Sequence, residues 1–302
     1  MLPDHWHLTR DVDDFLARAG EFLRSRPALH NTPLTDIEKL RMRRSIERDF
    51  EAGVFGRLVS EGEVRAIFYL TPRGRLGLTP LSGGQTDTLA VQLAGLGHSP
   101  SHVIADQDTA GAFAESWQRT TGAVPVPFWR THLYRLGALT PPRPGPEGRG
   151  RRTGGGDRER VVRWCRAFCV DVGEQPSIEL IDAGSWDDSR FGDRHFTFWE
   201  TPDGTPVSMA AVTPVVGGMV RVDPVYTPAR LRGRGYAGAV TVEASGAALA
   251  AGATDVVLFT DPDNPTSNAL YQRIGYTHVA DFAGYEFTER AIPEESESAG
   301  GR

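Results

Sequence analysis

A loop rich in glycine and arginine, YTPARLRGRGYAG at residues 226–238, runs directly into a stretch of small residues with helical spacing. Gly233 and Gly235 lie where the loop becomes the helix, and Arg230, Arg232 and Arg234 alternate with them. The first amides of a helix carry partial positive charge, and glycine lets a phosphate approach the backbone closely. Arginine adds fixed charge and bidentate donors for phosphate oxygens. The loop therefore predicts a pyrophosphate-binding site.

The length and charge of the chain limit the classes of protein it can belong to. At 302 residues it is long for a single hydrophobic core, so two domains are expected. The formal net charge of −6 argues against a general nucleic-acid binder, because the positive charge is local. The sequence has no apolar stretch of membrane-spanning length and no secretory signal pattern at its start. These features predict a cytoplasmic protein without a membrane partner.

The two cysteines of the chain, Cys165 and Cys169, are spaced i,i+4. This spacing places them on one face of a helix, where buried and inert thiols are expected. A metal site would need two further ligands, and no neighbouring group of histidines or cysteines provides them. No metal is therefore predicted.

Periodicity and turn residues predict an α/β first half. Helical spacing covers residues 11–24, 86–96 and 108–121, and a further helix is expected over residues 35–50 with Thr35 as its N-cap. Strand-like runs occupy residues 56–60, 64–70, 75–79, 101–105 and 128–136. Residues 141–158 are rich in proline, glycine and arginine and are predicted to form a linker or long surface loop.

The second half begins with a helix over residues 158–172. Strands follow over residues 195–200, 206–213 and 218–226. The helix after the glycine loop covers residues 235–251. Residues 255–260 form a continuous apolar run, as expected of a strand buried on both faces. Asn264 as N-cap, Pro265 in the first turn and Gly275 after the end mark the next helix. A hairpin-like segment is predicted over residues 276–288 and a disordered tail over residues 293–302.

The string GRGYAG at residues 233–238 also matches the dinucleotide-binding pattern G-x-G-x-x-G, and Asp261 follows at the spacing that this pattern requires. In that fold the first glycine ends the strand in a tight turn. Here residues 227–232 separate Tyr226 from Gly233, and the motif lies late in the chain, which disfavours the dinucleotide interpretation. A P-loop is disfavoured as well, because no Gly-Lys-Ser/Thr follows the glycines.

Two motifs resemble those of the GCN5-related N-acetyltransferases, the GNAT superfamily. RLRGRG at residues 230–235 fits the pattern Gln/Arg-x-x-Gly-x-Gly/Ala, which carries the coenzyme A pyrophosphate in that family. NPTSNALYQRIGY at residues 264–276 is similar to its second signature, an Asn and then a Tyr in a short helix that ends in Gly-Phe/Tyr. The resemblance covers residues 159–288. It implies an α/β fold of the α+β type, with a mixed, mostly antiparallel sheet, a central splay and flanking helices.

The resemblance also implies how acetyl-CoA would bind as a co-substrate. Pantetheine would lie between two splayed parallel strands, residues 218–226 and 255–260, and meet free main-chain groups near Val225 and Thr227. Loop amides would take the pyrophosphate, and Asn264, which is equally a plain helix cap, would reach the pantetheine. The predicted cofactor-binding residues are Val225, Tyr226, Thr227, Arg230, Leu231, Arg232, Gly233, Arg234, Gly235, Tyr236, Ala237, Asn264, Ser267 and Asn268.

Tyr271 is the predicted catalytic acid. By resemblance, its hydroxyl points at the thioester sulfur and protonates the departing thiolate, whereas the alternative role is that of a half-buried core tyrosine. Asp223, near the end of the central strand, is the candidate for the general base. Glu200, His195 and an ordered water are the alternatives.

The first half contains two short segments that are similar to the two motifs. WQRTTG at residues 117–122 is similar to YQRIG at residues 271–275, with Trp117 in place of the acid. TPLSGG at residues 79–84 opens a helix as the glycine loop does, but without the arginines. Residues 1–140 are therefore predicted to be a degenerate GNAT-like domain, as in tandem members of the superfamily. Tryptophan has no proton to transfer to a thiolate, so this copy is expected to be catalytically silent.

Together the motifs predict a tandem protein whose domain at residues 159–288 transfers the acetyl group of acetyl-CoA to a primary amine by direct attack in a ternary complex. A non-catalytic protein that binds or senses acyl-CoA is the alternative from another class. The acceptor stays open among amino acids, aminosugars, polyamines and peptide N-termini. The sequence is compatible with a monomer and with a homodimer.

Overall fold

The computed structural model describes residues 5–47, 50, 51 and 53–288. The first half of the chain forms β1 (His5–Thr9), α1 (Val12–Ser25), α2 (Asn31–Ile46), β2 (Val54–Ser60), β3 (Glu63–Leu70), β4 (Arg75–Leu78), α3 (Gly83–Gly95), β5 (His102–Asp106), α4 (Gln107–Thr121) and β6 (Val124–Leu136). The second half forms β7 (Arg149–Arg152), α5 (Arg158–Val172), α6 (Gln175–Asp182), β8 (His195–Glu200), β9 (Pro206–Val212), β10 (Met219–Tyr226), α7 (Tyr236–Ala250), β11 (Asp255–Thr260), α8 (Pro265–Arg273) and β12 (Tyr276–Thr288).

The chain divides into two compact units. The first draws on Met1–Ala19, Arg43–Arg130 and Phe282–Arg302, and the second on Gly20–Met42 and Thr131–Asp281. These limits do not coincide with the predicted domains at residues 1–140 and 159–288. The reason is that strand pairing and helix packing, rather than chain order, decide to which core a segment belongs.

The first unit is built on a sheet with the strand order β1-β2-β3-β4-β5-β12. Residues 282–286 of β12 enter it antiparallel to β5. β4 and β5 are parallel neighbours joined through α3, and the other neighbours are antiparallel. Apolar residues of the sheet pack against α3 and α4, and Phe68, Leu89 and Phe113 are fully buried there.

The second unit has the strand order β6-β11-β10-β9-β8-β7, in which residues 132–135 of β6 pair antiparallel with β11. β10 and β11 are parallel neighbours joined through α7, and the remaining pairs are antiparallel. One core contains Val220 and Val222 of the sheet together with Val240 of α7. A second core, formed with α5, contains Cys165 and Phe198. Helices therefore cover both faces of this sheet.

Each unit contains the same sequence of elements around its parallel strand pair. In the first unit, β4, α3, β5 and α4 follow one another, and in the second unit β10, α7, β11 and α8 do. Both parallel ladders are three residue pairs long. The first half thus has the mixed sheet that the hypothesis of a degenerate copy requires, and the predicted fold class is confirmed.

The segment 141–158 is a linker only in part. Residues 149–152 form β7, which pairs antiparallel with β8. Arg151 donates to Glu200 Oε1 at 2.6 Å and to both carboxylate oxygens of Asp157 at 2.8 and 2.9 Å. Composition does not reveal this strand, because ion pairs rather than apolar side chains attach it to the sheet.

Helix α2 begins one turn before the predicted start, at Asn31. The prediction that Thr35 is the N-cap is therefore wrong, and Thr35 Oγ1 instead donates to the carbonyl of Asn31 at 2.9 Å within the helix. Pro33 is tolerated in the first turn because amides there have no acceptor inside the helix. Residues 48 and 49, near the predicted helix end, lie outside the described residues.

Residues 276–288 form one strand, β12, instead of the hairpin-like segment that was expected. β1 and α6 have no counterpart in the sequence prediction, because both are short and neither shows a full period of apolar residues. The predicted tail at residues 293–302 lies outside the described residues. Among the helices that the structure describes, none has the length and apolar character needed to cross a membrane.

Candidate functional site

The two parallel strands of the second unit separate at their carboxyl ends. The ladder pairs only the first three residues of each strand and ends at Arg221 of β10 and Val257 of β11. On the other side of β10, the register with β9 shifts between Val222 and Val225. Both strands continue beyond the ladder without pairing with each other in the described part of the chain. The predicted splay is therefore present, and backbone groups of both strands face the gap.

The loop after β10 leaves a run of backbone amides without acceptors. A 3-10 turn, Ala229–Leu231, follows the strand, and Gly233 and Gly235 have positive φ angles of +75° and +81°. Gly235 is the N-cap of α7 and has no side chain to bond the first amides of that helix. Among the described residues, no acceptor is hydrogen-bonded to the N–H groups of residues 233–238. Free amides at a helix start are a favourable environment for a phosphate group.

The three arginines of this loop differ in their contacts. Arg232 donates from Nε to the carbonyl of Thr227 at 2.9 Å and also contacts the Asp171 carboxylate. Arg230 and Arg234 are exposed, and neither makes a hydrogen bond or ion pair with another residue that the structure describes. Arg232 therefore holds the loop against β10, whereas Arg230 and Arg234 are available to an anionic ligand.

The predicted contacts at the end of β10 are fixed from the β9 side. Val225 pairs with Ala210 of β9. The Thr227 and Ser208 hydroxyls share a hydrogen bond of 2.8 Å, and Ser208 Oγ donates to the carbonyl of Tyr226 at 3.1 Å. The edge of β10 that faces β11 is thus left unpaired. The other predicted contacts of the loop and the start of α7, all partly buried, are Leu231, Tyr236 and Ala237.

Helix α8 starts at the carboxyl end of β11, next to the gap. Asn264 is confirmed as its N-cap, because its side chain accepts from the amide of Ser267 at 3.1 Å. Asn268 accepts from Thr260 Oγ1 at 2.5 Å and donates to the carbonyl of Asp261 at 3.1 Å. The Asn264 and Asn268 side chains are thus already engaged by the protein, in bonds that fix the start of α8 on β11.

Tyr271 lies in α8 and packs at the edge of the core that contains Val225 and Leu270. Its ring meets that of Tyr276 edge-on, at a centroid distance of 6.0 Å. The Tyr276 hydroxyl is bonded to Ser245 at 2.7 Å, but the Tyr271 hydroxyl has no hydrogen-bond partner among the described residues. Burial, together with Tyr276 and the charge of Asp223, raises the pKa of Tyr271, so the hydroxyl stays protonated.

Asp223 lies in β10 just beyond the ladder and is held by two arginines. Its Oδ1 accepts from Arg190 at 2.9 Å, its Oδ2 lies 3.4 Å from Arg194 Nη2, and its carbonyl accepts from Arg194 Nε at 3.2 Å. Burial opposes ionisation of Asp223, but Arg190, Arg194 and Arg221 outweigh it and lower the pKa of the carboxyl below its ordinary value. A carboxylate held in this way is a weak proton acceptor, which argues against its predicted role as the general base.

The alternative bases and the cysteines are placed as follows. Glu200 is buried and bonded to Arg151, and His195 is exposed at the start of β8. Cys165 and Cys169 are both fully buried, as predicted, and burial raises the pKa of each thiol, that of Cys169 to about 12. Neither thiol is suited to act as a nucleophile.

One polar cluster is not visible in the sequence. His132 Nδ1 and His278 Nε2 lie 2.6 and 2.7 Å from the same oxygen, Oδ1 of Asp281. The three side chains come from β6 and β12, which are far apart in the chain, so no spacing rule could connect them. Burial raises the pKa of Asp281, but the two histidines outweigh it and lower the pKa overall. The contacts are those of a hydrogen-bonded group that links two strands.

In the first unit, Trp117 occupies the position predicted to correspond to Tyr271. It lies in α4, is 4% exposed and stacks on Phe113 at a centroid distance of 5.9 Å. Its ring therefore belongs to the core of that unit.

The comparisons with known proteins agree with this geometry. Residues 160–276 match the family described as Acetyltransferase (GNAT) family. A GCN5-related N-acetyltransferase from Sphaerobacter thermophilus is 17% identical, with a TM-score of 0.54 over 97% of this chain and 98% of that one. A tandem GNAT protein from the clavulanic acid biosynthesis pathway is 14% identical, with a TM-score of 0.52 over 93% and 98%. A Drosophila protein is 13% identical, with a TM-score of 0.58 over 95% and 99%. These similarities establish the fold, and no curated protein sequence matches the chain.

Proposed function

We propose that the second unit, whose residues 160–276 match the Acetyltransferase (GNAT) family, binds acetyl-CoA and transfers its acetyl group to a primary amine. The observation that carries this proposal is the run of free amides at residues 233–238 beside the splay of β10 and β11. The free amides suit a pyrophosphate, and the gap between β10 and β11 suits an extended pantetheine arm. The two features adjoin each other at the end of β10.

The residues of the loop fit the phosphates of coenzyme A. The two glycines keep side chains away from the amides, and a Cβ built on Gly233 would have no atom within 4 Å, so the space there is open. Arg230 and Arg234 supply mobile positive charge at its rim. The pantetheine amides would then pair with the unpaired edges of β10 and β11 as a strand does.

When bound, acetyl-CoA would supply an acetyl group activated as a thioester. The amine nitrogen would attack the carbonyl carbon, the carbon–sulfur bond would break, and Tyr271 would give its proton to the sulfur as general acid. The proton that the amine loses would pass to water, and Tyr271 would regain a proton from water before the next turnover. Asp223 would keep Arg190 and Arg194 in place beside the gap. No covalent enzyme intermediate is needed, in keeping with the buried thiols.

The alternative is an acyl-CoA-binding protein without turnover. Mere binding requires the loop and the splay but no free hydroxyl at the position of Tyr271. The Tyr271 side chain is partly buried, and its hydroxyl is not engaged by any described residue, so it is free to give its proton to a leaving thiolate. This feature favours the enzyme.

Gly233→Ala is expected to weaken coenzyme A binding about tenfold or more, a loss of roughly 1.4 kcal/mol. The added methyl group would enter the space assigned to the pyrophosphate. The matched control is Gly252→Ala at the other end of α7, because Gly252 also has a positive φ, +95°, and open space around its Cβ position. Both variants carry a similar backbone strain of about 1–2 kcal/mol. Calorimetric titration with CoA should therefore separate them, and equal affinities in the two variants would contradict the assignment of the loop.

A further inference from the structure

Arg221, at the end of the parallel ladder, is a cation with too few partners. The guanidinium has five N–H donors, and the hydrogen bond it makes in the described structure is from Nη2 to Thr35 Oγ1 at 2.6 Å. Its Nε is buried without a hydrogen-bond partner, and it forms no ion pair with a carboxylate among the described residues. Burial and the positive charges of Arg194 and Arg190 lower the pKa of Arg221, and the charges of Asp36 and Asp223 offset this only in part.

The neighbouring cations are neutralised. Arg190 lies 3.0 Å from Glu174 and 2.9 Å from Asp223, and Arg194 pairs with Asp193 at 3.1 Å and with Asp223 at 3.4 Å. Lys39 likewise lies 3.2 Å from Asp193. The group thus places its carboxylates in contact with the other cations, whereas Asp36 and Asp223 act on Arg221 only at longer range, without an ion pair. A buried charge of this kind is costly unless an anion completes it.

The position of Arg221 shows where such an anion would come from. Val220 and Val222 of β10 face the core under α7, so Arg221 between them points to the opposite face of the sheet. Its guanidinium lies 5.6 Å from the ring centre of Phe259, which belongs to β11. Arg221 is also the last residue of the ladder, so the sheet opens directly beyond it. Tyr271 and α8 lie on the α7 side of the same opening.

We propose that Arg221, with Thr35 and the ring of Phe259, forms a subsite for a carboxylate carried by the acceptor, so that the substrate is an amine bearing a carboxylate, such as an amino acid. This inference rests on the proposed function. A carboxylate bound at Arg221, between the sheet and α2, would direct the amine of the same acceptor toward the opening at which the thioester is placed. The guanidinium fork suits the bidentate geometry of a carboxylate, and the hydroxyl of Thr35 offers one further polar contact.

The test compares the wild type with Arg221→Met and with the control Arg163→Met. Arg163 is an exposed arginine of α5 that lies 3.4 Å from Glu159 and is not part of the site. Each full-length protein is assayed by thiol release from acetyl-CoA with amino acids, with the corresponding amino acid amides, and with phosphoethanolamine beside ethanolamine. Thermal unfolding is followed with and without the amino acids, and CoA binding is measured separately.

The wild type and Arg163→Met should prefer amino acids over their amides by about 30-fold or more in kcat/KM, and Arg221→Met should lose this preference while it still binds CoA. Arg221→Met should also unfold at the same or a higher temperature, because it replaces a buried guanidinium that has unsatisfied donors and no ion pair by an apolar side chain. Equal use of acids and amides, a preference for phosphoethanolamine, or a preference that survives in Arg221→Met would each overturn the assignment.

The failure of this inference can be told apart from failure of the proposed function. If no amine releases thiol, the acetyltransferase proposal fails. The unfolding data then still test whether Arg221 binds a carboxylate. Stabilisation by amino acids in the wild type but not in Arg221→Met would support the carboxylate subsite. A fall of several degrees in the melting temperature of Arg221→Met would assign Arg221 a structural role and overturn it.

Discussion

Replacing Tyr271 by phenylalanine is expected to lower kcat by about 10²–10⁴-fold, the usual contribution of a general acid. The affinity for acetyl-CoA should change little, because the role proposed for the hydroxyl is to protonate the departing sulfur and not to bind the cofactor. The melting temperature should not fall either, since this hydroxyl has no hydrogen-bond partner among the described residues. Steady-state kinetics, calorimetric titration with CoA and thermal unfolding measure the three quantities.

Tyr276→Phe is the matched control for this variant. It removes a second tyrosine hydroxyl from the same cluster, but one that is bonded to Ser245 at 2.7 Å. We expect it to lose about 1 kcal/mol of stability and to keep its kcat. If Tyr271→Phe turned over acetyl-CoA as fast as the wild type, Tyr271 would be a core residue and the acid would have to be sought elsewhere.

The second large effect is expected on stability. Asp223→Asn leaves Arg190 and Arg194 without their shared carboxylate, and the Arg194 side chain is only 5% exposed. Breaking a buried pair costs about 3–5 kcal/mol, and because the Arg190 side chain is 39% exposed the lower end applies. A loss of about 3 kcal/mol corresponds to a fall of roughly 6–12 °C in melting temperature for a unit of this size. The control Asp187→Asn, in which an exposed ion pair is removed, should stay within about 1 kcal/mol of the wild type.

The difference in stability between the wild type and Asp223→Asn depends on pH, because the pKa of Asp223 is lowered in the folded protein. Asp223 holds its proton less readily in the folded protein than in the unfolded chain. Its contribution is therefore present above the ordinary carboxyl pKa of 3.8 and is lost as the pH falls through the lower folded value. The difference in unfolding free energy between the wild type and Asp223→Asn should be constant near neutral pH and should disappear in acid. A stable Asp223→Asn enzyme that lost only the acidic limb of its pH–rate profile would instead restore the role of Asp223 as the general base.

The sequence predicts most elements of the second unit because local signals decide them. Asn264 and Pro265 mark the start of α8, the apolar run at residues 255–260 marks a buried strand, and Gly235 marks the start of α7. The two motifs that predict a cofactor-binding loop and a catalytic helix are likewise contiguous in the chain. Features of this kind can be read within a window of about fifteen residues.

The rest depends on contacts between distant segments. The strand at residues 149–152 is held by Arg151 and its ion pairs, and the cluster of His132 with Asp281 joins two strands from opposite parts of the chain. Similarly, the sequence does not show that the carboxylate of Asp223 is held, because Arg190 and Arg194, which contribute most to lowering its pKa, lie about 30 residues away in the chain. The sequence gives no indication of the environment of Arg221, because the residues around its guanidinium come from distant segments of the chain.

Thermal unfolding of the full-length protein with acetyl-CoA, NAD or NADP tests the central claim most directly. A ligand that binds only the folded state adds about 2.7 kcal/mol at 100 times its Kd, enough to raise the melting temperature by several degrees. The account predicts that acetyl-CoA stabilises the protein, that the dinucleotides do not, and that Gly233→Ala reduces the effect while Gly252→Ala leaves it unchanged. Stabilisation by a dinucleotide and not by acetyl-CoA would contradict it and restore the dinucleotide interpretation of residues 233–238.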